Sequence, residues 1–448
     1  MKFLASMFKV TSVIALLLET TAAGAQGTEI SPDADAPDAS AQPAADAADT
    51  TETAAEPAEA KAAPQPEPQA PAIAEAPAGD TTATAEIAAP IAAPESKKSW
   101  TDVIHVKGDF RYRLDIENIP DNEDTKVRHR HRIRARLGVS ADLPQGFKAH
   151  VQLATGSSDP VSTNQTLSEA FSTKPVWIDL AYAGWYPAFA EGLAVEAGKM
   201  KNPFVTPGNT ELIFDGDLTP EGAALSYSHA FGIVEPFFHG AAFYVQERKT
   251  ADDAWLLGIQ GGVKLTVAED IVHFILGASY YDHTRIQGNP VYYDTVDSYG
   301  NSATLADPAD PDSDLLYDND YNVVEGFFEV GGKIAKFPWA VFTDVIYNAA
   351  AEDDNLGWLV GLSFGKCKKP LDFSLGYTYR QLQADATVGA FSDSDFIGGG
   401  TGGKGHEWSL GFQLAEPLQL AATYFFNQAP IENSESYNRA QIDLKLKF

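Results

Sequence analysis

An arginine occupies every second position of "RHRHRIRAR", residues 128–136, in a chain whose formal net charge is -30. Successive side chains of a β-strand point to opposite faces, so this spacing predicts a strand with guanidinium groups along one face. We call this set the arginine ladder: Arg128, Arg130, Arg132, Arg134 and Arg136. The opposite face carries Ile133, Ala135, Leu137 and Val139. The two faces must therefore meet different surroundings.

The same alternation of polar and apolar residues recurs along the rest of the chain from Trp100. That region contains no apolar run of about 20 residues, the length that a membrane-spanning helix needs. The alternation instead predicts about sixteen two-sided strands. They cover 103–116, 126–139, 146–155, 176–186, 192–200, 222–230, 235–246, 255–267, 270–282, 322–334, 339–348, 356–366, 371–381, 406–415, 418–427 and 438–448.

The connections between these segments alternate in length. The short ones are 141–146, 187–192, 230–235, 268–270, 335–338, 366–370 and 415–417. The long ones include 156–175, 202–221, 283–320 and 383–405. Short turns on one rim and longer loops on the other are typical of an outer-membrane barrel. The sequence therefore predicts an all-β fold, a transmembrane antiparallel up-and-down barrel.

The energy of burying charge decides which face of the ladder meets lipid. One arginine on the lipid face near the bilayer midplane costs about 2–4 kcal/mol, so several there would rival the stability of a typical domain. We therefore expect the ladder to line a polar, water-filled lumen, with Arg111 and Arg113 of the preceding segment beside it. Arginines so close together need hydration or nearby carboxylates.

The first hundred residues differ in kind from the rest. Lys2 and Lys9 precede an apolar run, "VIALLL", which is followed by the small-residue stretch "TAAGAQ", and this pattern predicts a signal peptide over 1–25. Residues 26–99 carry 14 carboxylates, three lysines and few apolar side chains, which predicts a disordered linker in the periplasm. Residues 100–448 form the predicted barrel domain and keep a net charge of -20.

Several stretches resemble a known family. They are "GDFRYRLD", "RHRIRARLGVSADL", "VQLATG", "DLAYAGWYP", "AGKMKNPF" and "DGDLTPEGAALSYS", and the chain ends in "RAQIDLKLKF", an amphipathic strand closed by an aromatic residue. Together they are similar to the "putative porin" family of Gram-negative outer membranes, over most of 100–448 and most densely over 105–228. The resemblance implies a sixteen-stranded channel, a homotrimer, and contact with outer-membrane lipid and lipopolysaccharide.

In porins the third loop commonly folds into the lumen, which suggests a partner for the ladder. Here the corresponding stretch, 202–222, carries Glu211, Asp215, Asp217 and Glu221. An acidic loop facing a basic wall would produce a transverse field that sets ion preference. The alternative is an external loop whose carboxylates are hydrated or bind divalent ions between lipopolysaccharides. The ladder itself could also bind carboxylates on neighbouring strands and stiffen the wall.

Other motifs give weaker signals. "GLSFG" around Ser363 matches a nucleophile motif, but it lies in a predicted strand and not in a strand-to-helix elbow. His129 and His131 lack an evident third metal ligand, and "DPADPDSD" (307–314) lacks the glycine and glutamate of an EF-hand. We therefore expect no enzyme activity, no cofactor, no metal and no nucleic-acid partner.

The predicted function is passive diffusion of small hydrophilic solutes and ions through an outer-membrane porin. Two alternatives stay open at this point. The ladder could make the channel anion-selective, for example for phosphate. The barrel could instead be a structural anchor that the linker tethers to peptidoglycan.

Overall fold

The computed structural model describes residues 100–121, 124–267, 271–430 and 435–448. The predicted signal peptide (1–25), the predicted linker (26–99) and the predicted turn at 268–270 lie outside the described residues. The description of the fold therefore concerns the region in which the sequence predicts the strands.

Nineteen strands and five short 3₁₀ helices make up the regular structure of the described residues. The strands are β1 (Ile104–Asp121), β2 (Asp124–Asp142), β3 (Phe147–Thr155), β4 (Gln165–Thr166), β5 (Val176–Trp185), β6 (Leu193–Lys199), β7 (Glu221–Ser228), β8 (Val234–Gln246), β9 (Ala254–Val267), β10 (Val272–His283), β11 (Ala303–Leu305), β12 (Leu315–Tyr317), β13 (Tyr321–Ile334), β14 (Phe337–Asn348), β15 (Leu356–Gly365), β16 (Phe373–Leu382), β17 (Gly403–Ala415), β18 (Leu418–Gln428) and β19 (Ser436–Lys447). The helices are Trp100–Asp102, Pro144–Gly146, Pro207–Asn209, Gly389–Phe391 and Phe396–Gly398. None of these helices has the length or apolar character that crossing a membrane requires.

Sixteen of the described strands pair in antiparallel order into one closed barrel. Closure occurs at β1, which pairs with β2 on one side and with the last strand, β19, on the other. The remaining three are short: β4 adds two residues beside β2, while β11 and β12 form a separate hairpin within a loop. The predicted sixteen-stranded antiparallel barrel is confirmed.

The barrel wall has an apolar outside and a mixed inside. In β9 the outward residues Trp255, Leu257 and Ile259 are exposed in the isolated chain, while the inward residues Leu256 and Gln260 are buried. A period-2 pattern of this kind suits a wall between hydrocarbon and a filled interior.

Several loops on one rim turn back into the interior of the barrel. Their apolar side chains pack against the inner face of β7 to β16 to form the hydrophobic core. Phe214 of the third loop packs edge-on to Tyr281 of β10, with ring centroids 5.1 Å apart. The inner face of β19, β1 and β2 carries charged residues instead, and the polar site lies there.

Candidate functional site: the charged interior wall

The register of β1 against β2 sets the charges of the polar wall. Five inward residues of β1 lie directly opposite the five ladder arginines. The pairs are Asp109 with Arg136, Arg111 with Arg134, Arg113 with Arg132, Asp115 with Arg130, and Glu117 with Arg128. Carboxylates thus face the two ends of the ladder, while arginines face arginines in the middle. Like charges directly opposite one another destabilise a sheet, so the middle of the wall needs carboxylates from elsewhere.

At its end towards the long loops, the ladder binds the carboxylates of β1. Arg128 lies 3.3 Å from Glu117, and Arg130 lies 2.7 Å from Asp115 and 2.9 Å from Glu117. Asp115 is fully buried and also accepts two hydrogen bonds from Arg439 of β19, both of 2.8 Å. This part of the wall is a charge network within the sheet.

At its other end, towards the short turns, the ladder contacts carboxylates of both the wall and the third loop. Arg136 lies 2.8 Å and Arg134 3.1 Å from Asp109 of β1. The same guanidinium groups lie 3.5 Å and 3.4 Å from Asp217 of the third loop. Burial alone would raise the pKa of Asp217, but Arg134 and Arg136 lower it below its usual range. Asp217 is therefore an ionised counter-charge supplied by a loop.

The arginines in the middle of the wall draw on three further partners. Arg113 is bound by Asp443 of β19 at 2.7 Å and by Asp395, in the loop between β16 and β17, at 3.0 Å. Arg132 lies 3.7 Å from Asp115. Arg111 donates to the side chain of Asn164 and lies 4.0 Å from Asp443.

Two wall residues fix the position of the third loop. Gln260 of β9 accepts a hydrogen bond from the Val205 N–H at 2.7 Å and donates to the Val205 carbonyl at 2.9 Å. Glu329 of β13 accepts from the Gly208 N–H at 2.8 Å. Gly208 has a φ of +61°, and a Cβ there would lie 2.4 Å from the ring of Phe342, so the turn requires glycine.

The loop carboxylates differ in environment. Oxygens of Glu211, Asp215 and Asp393 lie within 4.8 Å of one another. Burial, reinforced by the charge of Asp393, raises the pKa of both Glu211 and Asp215 well above the usual range. Glu221 lies apart from this group, at the start of β7, where it is exposed and 3.0 Å from Lys199. The structure thus brings Glu211 and Asp215 together in one cluster, whereas Asp217 contacts the ladder arginines Arg134 and Arg136.

Three cavities lie along the polar wall. We call the one of about 340 Å³ the upper cavity; Arg128, Arg130 and Arg132 line it towards the long-loop rim. The lower cavity, of about 450 Å³, lies towards the short-turn rim and is lined by Arg111, Arg113 and Glu211. A side cavity of about 430 Å³ is lined by Arg136, Asp215 and Asp217.

The sequence did not single out several residues of this site. They are Arg380, Asp393, Asp395, Arg439 and Asp443. The period-2 pattern of "NRAQIDLK" places Arg439 and Asp443 on the inner face of the last strand, so alternation alone could have found them. No such pattern marks Asp393 and Asp395, since both lie in an irregular loop.

The weaker motifs are dispersed on the barrel. Ser363 lies within β15, so it has no strand-to-helix elbow around it. His131 lies on the outer face, where its Nδ1 is 2.6 Å from the Tyr112 hydroxyl. Residues 307–314 lie at the long-loop rim and are mostly exposed.

The first of two similar solved structures supports the same architecture. Pseudomonas putida OprB, in a high-pH structure, matches with a TM-score of 0.50 at 12% identity, over 77% of this chain and 94% of that one. Salmonella typhi OmpF, in a complex with daunomycin, matches with a TM-score of 0.47 at 11% identity, over 77% and 97% of the two chains. At this level of identity the likeness concerns the fold alone.

Sequence comparison identifies the family. A search of curated proteins found no match. The sequence model of a family described as "Putative porin" matches residues 115–309 and 329–448, well over half of the chain. Family and fold point to an outer-membrane channel rather than to an enzyme. This chain, with its charged wall inside a closed barrel, therefore belongs to this porin family.

Proposed function

We propose that this protein is an outer-membrane porin, assembled as a homotrimer, through which small hydrophilic solutes and ions diffuse passively. The solute path follows the arginine ladder and passes the acidic third loop. The observation that carries the proposal is the placement of cavities along the charged wall, with Arg128, Arg130 and Arg132 at the upper cavity and Arg111 and Arg113 at the lower one.

The charges around the lower cavity support a transverse field across the path. Arg111 and Arg113 of β1 line one part of it, and Glu211 of the third loop lines another and contributes a negative charge once the pH exceeds its raised pKa. Fixed charges of opposite sign on facing sides of a narrow path orient dipolar solutes and set ion preference. Small polar solutes are therefore the class that this interior suits.

The carboxylates that neutralise the ladder arginines argue against the anion-selective alternative. Each ladder arginine lies within 3.7 Å of a carboxylate. An arginine that shares its charge with a carboxylate attracts a passing anion less strongly than an isolated one does. This supports a general channel with a modest charge preference over a dedicated phosphate channel.

Ion selectivity in a planar bilayer tests the proposal. Replacing Arg132→Glu together with Arg134→Glu reverses two rungs, so reversal potentials should shift towards cation preference. The shift should shrink as salt rises, because the Debye length falls from about 10 Å at 0.1 M to about 3 Å at 1 M.

A matched variant places the same new charge on the opposite face. Ile133→Glu lies between the two reversed rungs but points outward, so it should impair membrane assembly and leave the selectivity of assembled channels unchanged. A ladder variant that forms open channels with wild-type ion preference would show that the ladder is structural and that solutes take another path.

A further inference from the structure

A second long loop, residues 383–402 between β16 and β17, also folds into the barrel. Loops of a membrane barrel usually extend into water at the rim. Here Ser392, Asp393 and Phe396 are only 1%, 3% and 1% exposed. The loop therefore occupies the lumen, beside the third loop.

The rim end of this loop is held by Asn301, in the loop between β10 and β13. Its side-chain amide donates to the Ala384 carbonyl at 2.6 Å and to the Thr387 carbonyl at 2.8 Å, and its oxygen accepts from the Gly389 N–H at 2.8 Å. These three bonds use both amide hydrogens and the carbonyl oxygen, and they hold the chain where it turns inward.

The tip of the loop is held by three arginines of the barrel wall. Asp393 lies 2.6 Å from Arg380 of β16. Asp395 lies 3.0 Å from Arg113 of β1 and 2.9 Å from Arg439 of β19. The tip thus bridges β16 and the seam between β19 and β1, which lies three to four strands away in the barrel order.

Successive residues of the tip face opposite cavities. Ser392 and Ser394 line the upper cavity, while Asp393 and Asp395 line the lower cavity. Residues 392–395 therefore form a partition one chain thick between the two. The third loop braces it, since the Ser394 N–H donates to Asp215 at 2.9 Å.

We infer that residues 392–395, the tip segment, form a second constriction that limits the size of solutes passing between the upper and lower cavities. The inference rests on the proposed porin function and extends it, because it assigns the size limit to a loop other than the third. Arg113, Arg380 and Arg439 hold the tip segment across the path.

Neutralising the tip tests this assignment. Asp393→Asn with Asp395→Asn removes the ion pairs that hold the tip segment, so single-channel conductance should rise roughly twofold or more and larger sugars should enter proteoliposomes in swelling assays. Heat-modifiable migration on gels reports whether the variant is a folded barrel.

Glu407→Gln is the matched control for lost charge. Glu407 of β17 also faces the lower cavity, 3.8 Å from Arg380, but it lies outside the tip segment. Its replacement should alter ion preference slightly and leave the sugar size limit unchanged. A larger size limit in this control as well would overturn the assignment to the tip.

A third variant leaves the ion pairs in place. Ser394→Cys, in a Cys367→Ser background, offers one thiol on the upper face of the tip segment. Attaching a bulky, water-soluble methanethiosulfonate group there should reduce the current by roughly half or more. Complete labelling, verified by mass spectrometry, with an unchanged current would overturn the inference.

The outcomes separate the two proposals. Conduction by the wild type with an unchanged size limit in the folded double variant overturns the tip inference and leaves the porin function standing. If the wild type carries no current and the double variant does, the tip segment closes the path completely, which supports the tip inference. Silence of all folded variants overturns the porin function and the inference together.

Discussion

Arg113 and Asp443 form a two-point ion pair across the seam where the first and last barrel strands meet. The guanidinium Nε lies 2.7 Å and Nη2 2.9 Å from the two carboxylate oxygens, and both residues are at most 5% exposed. The residues are also direct partners in the register of β1 with β19. The pair therefore specifies which residues meet when the barrel closes.

Removing the carboxylate at the seam should destabilise the barrel strongly. Asp443→Ala leaves Arg113 buried beside Arg111, with Asp395 as its remaining carboxylate partner among the described residues, and breaking a buried pair typically costs about 3–5 kcal/mol. Urea unfolding in detergent measures the change. Glu221→Ala breaks the exposed pair with Lys199 and should cost at most about 1 kcal/mol. Equal costs at the two sites would contradict the role of the seam.

Asp217→Asn should shift ion preference towards anions. The change leaves Arg134 and Arg136 with Asp109 as their shared counter-charge. Because the pKa of Asp217 is lowered, its carboxyl group is fully ionised at any pH above the usual titration range of an aspartate. The shift should therefore be present throughout the range from about pH 5 to pH 8 in reversal-potential measurements. Asp217→Glu retains the charge, and a similar shift in that variant would contradict the explanation.

Glu211 and Asp215 should make the channel pH-dependent. Their raised pKa values mean that both take up charge only as the pH rises beyond the usual carboxyl range, so cation preference should increase with pH. Since the folded state holds these protons more tightly, the stability they contribute is complete below the unfolded pKa and is lost as pH rises through the folded one.

The neighbours of this pair act in both directions. Asp393, Asp395 and Asp217 disfavour its ionisation, and Arg380 favours it. Glu211→Gln with Asp215→Asn should flatten the dependence of reversal potential on pH, measured from about pH 4 to pH 9. An unchanged slope in the double variant would assign the titration to other groups.

The strands were predictable because the barrel imposes a strict local rule. Lipid on one face and a packed interior on the other require alternation at every strand, so the pattern survives in the sequence. The ladder segment, predicted over 126–139, lies in Asp124–Asp142, and the segment predicted over 222–230 corresponds to Glu221–Ser228. The predicted and observed ends differ by one to three residues.

The lumen was less predictable because it depends on which loops turn inward. The arginine ladder predicts that carboxylates lie nearby, but the sequence does not indicate which loop supplies them. Asp217 and Asp395 lie 178 residues apart in the numbering, yet both neutralise the same wall. Only the closed barrel, with β19 returning to β1, brings the two loops to it.

Gln260 offers a separate test of how the third loop is held. Its buried amide makes two hydrogen bonds to the backbone of Val205 and a third, of 3.0 Å, to Ser279. Gln260→Leu has a similar size but leaves these polar groups without that partner, which costs about 1–3 kcal/mol for each buried group left unsatisfied. We expect a lower unfolding midpoint in urea and larger current fluctuations as the loop moves.

Gln260→Glu provides the graded comparison for the same loop. A carboxylate can still accept from the Val205 N–H but, when ionised, cannot donate to the Val205 carbonyl, so it retains one of the two contacts. Burying its charge adds a penalty that falls as the pH is lowered and the carboxyl becomes protonated. The glutamate variant should therefore recover towards wild-type current noise at low pH, whereas the leucine variant should not. If both variants have wild-type noise at every pH, packing around Phe204 and Phe214 holds the third loop without the Gln260 clamp.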